Sequence, residues 1–344
     1  MANRFTQGLG MRTTLLTRRR AIAAGFGALV VGLQGPIGAG AKRRKKRPST
    51  VCANGCKYTT LAAAIAGTRA GGTICLKNGE YTENLTITKR LTITPCGPSD
   101  VVVIQTSQEL AGRTFTVQFG SDADSLTFRA KTLGNLTLKG AAGAFPEAGG
   151  VIGFGVDTPS TPSKGNLVLE NVVMQSGNAG KGGAIAANTS GEVRLTNTLI
   201  QQCSCILNPG GAIAMAGGTL TVGGNSQIRD CIAPNGGGIG LSDGAQLILS
   251  GTAVVGGPAG VDANRATSDF GGGVYAAAGT QVTMSGDATI QKNQGYTAGG
   301  GIYAEQDALL LGNANCASGK IFENVLGYGS SGAQLYLANS ANIC

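Results

Sequence analysis

The chain has 344 residues, a formal net charge of +9, 58 glycines, nine cysteines, no tryptophan and no histidine. The missing histidine excludes Ser-His and Cys-His nucleophilic pairs and His-ligated zinc. Charge is segregated: residues 1–47 carry eleven Arg and Lys and no acid, which leaves 16 basic against 18 acidic residues in 48–344, a body at −2. A body of that sign argues against specific nucleic-acid binding by the fold itself.

In chain order, residues 1–41 read as an export signal. Thr17-Arg18-Arg19-Arg20 precedes a thirteen-residue, Gly-rich apolar run from Ala21 to Leu33, and an Ala39-Gly40-Ala41 cleavage-type triplet comes after it. The run is too short to span a bilayer. Paired arginines before a weakly apolar segment resemble a twin-arginine export signal; an ordinary secretory signal and a retained anchor are the competing readings. Residues 42–50 form a basic linker. Its Lys42, Arg43, Arg44, Lys45, Lys46 and Arg47 offer an anionic surface simple charge attraction, or serve only as a solvated spacer.

Residues 51–344 read as one domain. Its single convincing helix lies at about 58–67, amphipathic through Leu61, Ala64 and Ile65, and is expected to cap the N-terminal end of a strand-rich solenoid. Beyond it come short strand-like stretches at Thr73–Leu76, Leu85–Thr88, Leu91–Thr94, Val101–Gln105, Phe115–Phe119, Leu126–Phe128, Leu136–Leu138, Val151–Phe154 and Leu167–Leu169. From Gly182 a regular repeat takes over. A Gly-Gly-x-aliphatic step recurs with its aliphatic residue at Ile185, Ile213, Ile239, Val274 and Ile302, at intervals of 28, 26, 35 and 28.

Each repeat holds three apolar stations, for example Ile185, then Val193 with Leu195, then Ile200. Within a station apolar residues sit two apart, the strand period, and Gly, Asn, Ser and Asp fill the turns. Three strands and three turns in roughly 26 residues make one coil of a parallel β-helix. The fold class is therefore all-β, a right-handed parallel β-helix with three strands per coil and a short N-terminal capping helix.

The helix, together with Gly71-Gly72-Thr73-Ile74-Cys75-Leu76, Asn78-Gly79-Glu80-Tyr81-Thr82-Glu83-Asn84-Leu85-Thr86-Ile87 and Leu91-Thr92-Ile93, resembles the opening of the pectin-lyase-like superfamily of right-handed parallel β-helices. The later Gly-Gly-x-Ile-Tyr coils are similar to those of polymorphic outer-membrane proteins and other bacterial surface β-helices. The resemblance covers about 51–344. It implies a fold, while its members include lyases, hydrolases, esterases and adhesins. The Gly-His-Gly step of its polygalacturonase-like hydrolases is absent, since the chain has no histidine.

Cysteines in an exported chain are expected to be mostly oxidised. Ile200-x-x-Cys203 and Ile228-x-x-Cys231 occupy the same place in successive coils, which puts their α-carbons about 4.8 Å apart, within reach of a disulfide. Cys205 is an alternative partner, and two reduced thiols in a buried stack are the other reading. Cys75 with Cys96, Cys52 with Cys56 and Cys316 with Cys344 are further candidate pairs. Ile290-x-x-Asn293 and Ile321-x-x-Asn324 extend the column as a stack of side-chain amides.

Candidate chemistry rests on carboxylates, Arg and Lys. The 35-residue interval carries its excess in Gly256 to Asp269, where Asp262, Arg265 and Asp269 are close enough for a small polar site on a loop; a solvated turn with an internal Arg–Asp pair explains the same residues. Asp122 and Asp124 have the alternation of a calcium ligand pair. The segment from Gly140 to Gly165 is a second excursion that could shape a groove with the neighbouring coil. With few aromatic residues no sugar-stacking platform is expected. After Leu335-Tyr336-Leu337 no room is left for a membrane barrel.

These features together predict an exported, non-catalytic protein of a bacterial envelope or the extracellular space that binds polysaccharide or another surface polymer and requires no cofactor. The alternative is a carbohydrate-active enzyme, a metal-assisted polysaccharide lyase or glycoside hydrolase, with Ca2+ serving the lyase form.

Overall fold

A computed structural model describes residues 47–106, 112–140, 148–157, 160–207, 209–257, 262–312, 320–328 and 332–338. Among the described residues the strands form three all-parallel sheets. Sheet A has ten strands, from Ser49–Val51 through Gly72–Leu76 to Leu309–Gly312. Sheet B has thirteen, from Gly79–Thr82 to Ile321–Phe322 and Val325–Leu326. Sheet C has nine, from Leu85–Ile87 to Leu335–Leu337. The chain visits A, B and C in turn and then repeats, so three strands make a coil and every strand pairs with its equivalents in the coils before and after. This is a parallel β-helix, and right-handed winding is the hand that crossovers between parallel strands adopt.

Strand alternation builds the core. Asn166–Glu170 buries only Leu167 and Leu169, and Leu167 stands in register with Val193, Leu220, Leu247, Val282 and Leu310. None of that column is more than 4% exposed. Each such side chain contributes roughly 2 kcal/mol by leaving water. Phenylalanines thicken the early coils, with Phe115 edge-on to Phe128 at 4.9 Å and Phe119 to Phe154 at 5.8 Å.

The Gly-Gly step has two separate causes. Three residues before the aliphatic position the backbone is left-handed, at Gly182 (φ 56°), Gly210 (94°), Gly236 (57°), Gly271 (68°) and Gly299 (62°), a conformation that glycine adopts without steric cost. One residue later, at Gly183, Gly211, Gly237, Gly272 and Gly300, a Cβ would strike the backbone of the next coil. The same geometry extends to Gly149-Gly150 and Gly332, which lie outside the five copies of the repeat.

Helix α1 spans Leu61–Gly67, shorter than the expected 58–67, because Thr60 is its N-cap and Tyr58 bridges to Val51 instead. Thr60 accepts from the Ala63 amide at 3.2 Å, and the Glu83 carboxylate accepts from the Leu61 and Ala62 amides at 2.6 and 2.8 Å. Four open amides are the weak point of a helix start, and an acid there also meets the positive end of the dipole. Leu61, Ala64 and Ile65 are buried, so the cap closes the first coil with its apolar stripe. The first strand begins at Ser49, inside the 42–50 stretch assigned to the linker. No described helix is long and apolar enough to cross a membrane.

Sheet B bends at a corner residue with positive φ: Ser176 (58°), Gln202 (56°), Asp230 (51°), Lys292 (55°) and Glu323 (54°). The residue after the bend points inward, and there the amide stack forms. Asn264 donates to Asn293 at 3.0 Å, Asn293 to Asn324 at 2.9 Å, and Asn324 to Gln334 at 2.9 Å. The surplus of the longest repeat lies between the sheet B strands Val254–Val255 and Arg265–Ala266, so the coil keeps its register around an insertion.

Candidate functional site

On the outer face of sheet C one register column reads Thr86, Thr116, Gly153, Ala186, Ala214, Gly240, Tyr275, Tyr303 and Tyr336. Where this column is small a groove of about 810 Å³ opens, a volume in the usual range of ligand sites. Ala186, Ala214 and Gly240 form its floor, and Asn188, Ala216 and Ser242 line it two residues further along the same strands.

The walls come from two connections. Val156, Ser160 and Pro162 belong to the excursion that the sequence marked as groove-forming, and Pro209 rests against Gly240. The excursion is fastened at both ends. The Arg113 guanidinium, 6% exposed, lies over Gly153 and binds Asp157 at 2.7 Å. Ser163 is threaded into the stack: its hydroxyl accepts from the Phe119 amide at 2.8 Å, and its carbonyl accepts from the Thr189 hydroxyl at 2.8 Å.

Beyond Gly240 the column turns aromatic. Tyr275 and Tyr303 are parallel to within 1° at 5.8 Å, Tyr303 and Tyr336 to within 7° at 5.2 Å, and Phe270 stacks on Tyr303 at 4.2 Å. The Tyr275 hydroxyl bonds Glu305; burial first, and then that carboxylate, hold its phenol above the ordinary value. Aromatic residues gather on one face of the later coils. Their ring faces are spent on one another, however, so the stack is a structural ladder.

The predicted loop triad is distributed differently. Asp262 binds Arg229 of the preceding coil, Nη1 to Oδ2 at 2.6 Å, and Arg229 Nη2 donates to Gln201 Oε1 at 2.9 Å. Gln201 donates on to Gln175 at 3.4 Å. Arg265 is exposed in the strand that pairs with Gln294, and the Asp269 carbonyl accepts from Thr297. The Arg–Asp pair therefore joins two coils. Inside the cluster Arg229 Nε is buried without a partner. Asp230 is raised above its ordinary value by burial first and by Asp262 second, against the pull of Arg229. A carboxyl raised above its ordinary value near a carboxylate held by arginine is a pairing of the kind found at acid–base sites.

Arg229, Asp230, Gln201 and Gln175 were not singled out from sequence. The signal was present: Gln201, Arg229 and Asp230 fill the places between the aliphatic and inward residues in Ile200-Gln201-Gln202-Cys203 and Ile228-Arg229-Asp230-Cys231, and Gln175 follows Met174 one coil earlier. Asp122 and Asp124 sit in the turn before Ser125–Arg129, and no cluster of three or more metal-ligating side chains occurs among the described residues.

Cys52–Cys56 and Cys75–Cys96 are disulfides, with α-carbons 5.6 and 4.7 Å apart. Cys203 and Cys231 are directly opposite as expected but remain buried thiols, as does Cys205. Each of the two donates to its own strand, Cys203 to the Gln201 carbonyl at 3.2 Å and Cys231 to the Arg229 carbonyl at 3.1 Å. Burial pushes the Cys231 thiol well up, with Cys203 adding to it. Cys316, Cys344 and residues 42–46 lie outside the described residues.

Among solved structures the chain is similar to a pectin methylesterase from Aspergillus niger, at 11% identity and a TM-score of 0.33, over 86% of this chain and 85% of that one. It is also similar to pectin methylesterase PemA from Erwinia chrysanthemi, at 12% identity and a TM-score of 0.33, over 85% and 92%. No protein-family model and no curated protein matches the chain.

Proposed function

We propose that the chain is an exported, non-catalytic β-helix protein of the cell envelope or extracellular space, and that it binds polysaccharide in the groove on sheet C. The small column Ala186–Ala214–Gly240 carries this reading: three successive rungs of a rigid sheet bring no large side chain of their own, and fastened loops wall the groove above them. Binding by shape and hydroxyl contacts requires no cofactor. The twin-arginine-like leader supports export, as do two disulfides, which persist in oxidising compartments. The stretch Lys42 to Arg47 adds attachment to an anionic surface by charge.

Retention on immobilised and soluble polysaccharides, compared between the parent chain and Ala214→Phe, tests the proposal. Retention that Ala214→Phe abolishes supports it; failure of every polymer to retain the parent sinks it. The Arg229–Asp262–Asp230 cluster favours a second reading, a carbohydrate-active enzyme acting as a lyase with Ca2+ or as a glycoside hydrolase. Release of reducing ends or unsaturated product, with and without calcium, and its loss in Asp262→Ala, would establish that reading and overturn the non-catalytic one.

A further inference from the structure

Granting polysaccharide binding in the groove, we infer that its ligand is a linear, uncharged glycan. The charged groups among the described lining residues are Lys181 and Asp243, one of each sign. The Arg113 guanidinium next to the floor is already paired with Asp157. A polyuronate or sulfated chain would bring one negative charge or more per sugar into a site with a single lysine and a repelling aspartate. Moving such charges out of water without partners is costly. The body, 48–344, is at −2 and adds no long-range attraction for a polyanion; the basic stretch Lys42–Arg47 is separate from the groove's lining residues.

What the groove does supply suits hydroxyl groups. Ser160, Ser190 and Ser242 hydroxyls and the Asn188 amide both donate and accept. The Ser242 hydroxyl donates to Asp243 at 3.0 Å, which leaves that carboxylate as an acceptor for sugar hydroxyls. The floor gives apolar contact to the C–H face of a pyranose ring through the half-buried Ala214. Its rungs repeat at about 4.8 Å, about the length of one ring in an extended chain, so successive sugars meet successive coils. Linearity follows from the walls: Val156 and Pro162 on the excursion and Pro209 over Gly240 stand at the floor, and an unbranched chain meets them with the least bulk.

Affinity electrophoresis of the intact chain against soluble linear glucan, xylan and mannan, a branched dextran, polygalacturonate and alginate tests this. Retardation by a linear neutral polymer is expected, unchanged between about 0.05 and 0.5 M salt and reduced about tenfold by Ala214→Phe. Retardation by the acidic polymers alone, falling with salt and lost in Lys181→Gln, would overturn the inference while leaving polysaccharide binding intact. Retardation by the branched polymer alone would overturn linearity. Absence of retardation by any polymer would remove both the inference and the reading beneath it. Thermal melting confirms that Ala214→Phe is folded, and Ser242→Tyr, whose side chain points outward, obstructs the same groove if it is not.

Discussion

Along the outer face of sheet C one register position is Ala186, Ala214 and Gly240 in three coils and Tyr275, Tyr303 and Tyr336 in the next three. The backbone, the pairing and the inward side chains are equivalent in both halves. In the aromatic half each ring finds its partner in its own counterpart one coil away, so the face is filled from within the chain. In the small half Pro209 lies against Gly240 and loops wall the remaining rungs, which leaves a groove. Side-chain volume at a single repeated position therefore decides whether a solenoid face becomes a ladder or a groove.

Tyr303→Ala strikes the aromatic half hardest, because it removes contacts with Tyr275, Tyr336 and Phe270 together. A loss of about 3 kcal/mol is expected in denaturant unfolding, with glycan retention unchanged; a fall in retention would mean that the halves are not independent. Arg113→Met frees Asp157 and loosens a groove wall. It is expected to cost about 2 kcal/mol, to speed hydrogen exchange at Val156, and to weaken retention several-fold without abolishing it. Ala214→Phe gives the small half an aromatic rung. Its stability should stay within about 1 kcal/mol of the parent while retention falls about tenfold, the reverse of the Tyr303→Ala pattern.

Asp230 lies outside both halves and provides the smallest effect. Its carboxyl, raised in the folded chain, binds its proton more tightly there than in the unfolded chain. Its contribution to stability is present below the unfolded value of about 3.9 and is lost as pH rises through the folded one. Asp230→Asn is thus expected to raise the melting temperature at pH 7 by about 2 °C, a difference that closes near pH 3. A variant less stable than the parent at pH 7 would show that the carboxylate is held by favourable contacts instead.

Much of the fold was legible in short segments. Gly182-Gly183 and its repeats mark a left-handed turn and a close backbone approach, both properties of the local chain. The alternation in Asn166–Glu170 shows which residues face the core. Less of the sites could be read. Asn264 belongs to the amide stack, but the insertion that precedes it moves it six residues from the place where the period would put it. Cys203 and Cys231 have the register of a disulfide, yet register alone does not join two sulfurs, and both remain thiols that donate to carbonyls of their own strands. The 140–165 excursion was recognisable as a groove wall from its prolines and glycines, whereas the floor it faces was not.

The sequence by itself determined the period, the three-strand coil, the capping helix and the identity of the core, because strand alternation, glycine turns and helix amphipathicity act over a few residues. Only the tertiary structure decided that Asp262 reaches Arg229 across 33 residues, that the tyrosines stack on one another, and that Ala214 floors a groove between fastened loops. Those contacts depend on where an insertion folds back and on which way a side chain turns. Both are settled by packing between coils, and no single coil contains them.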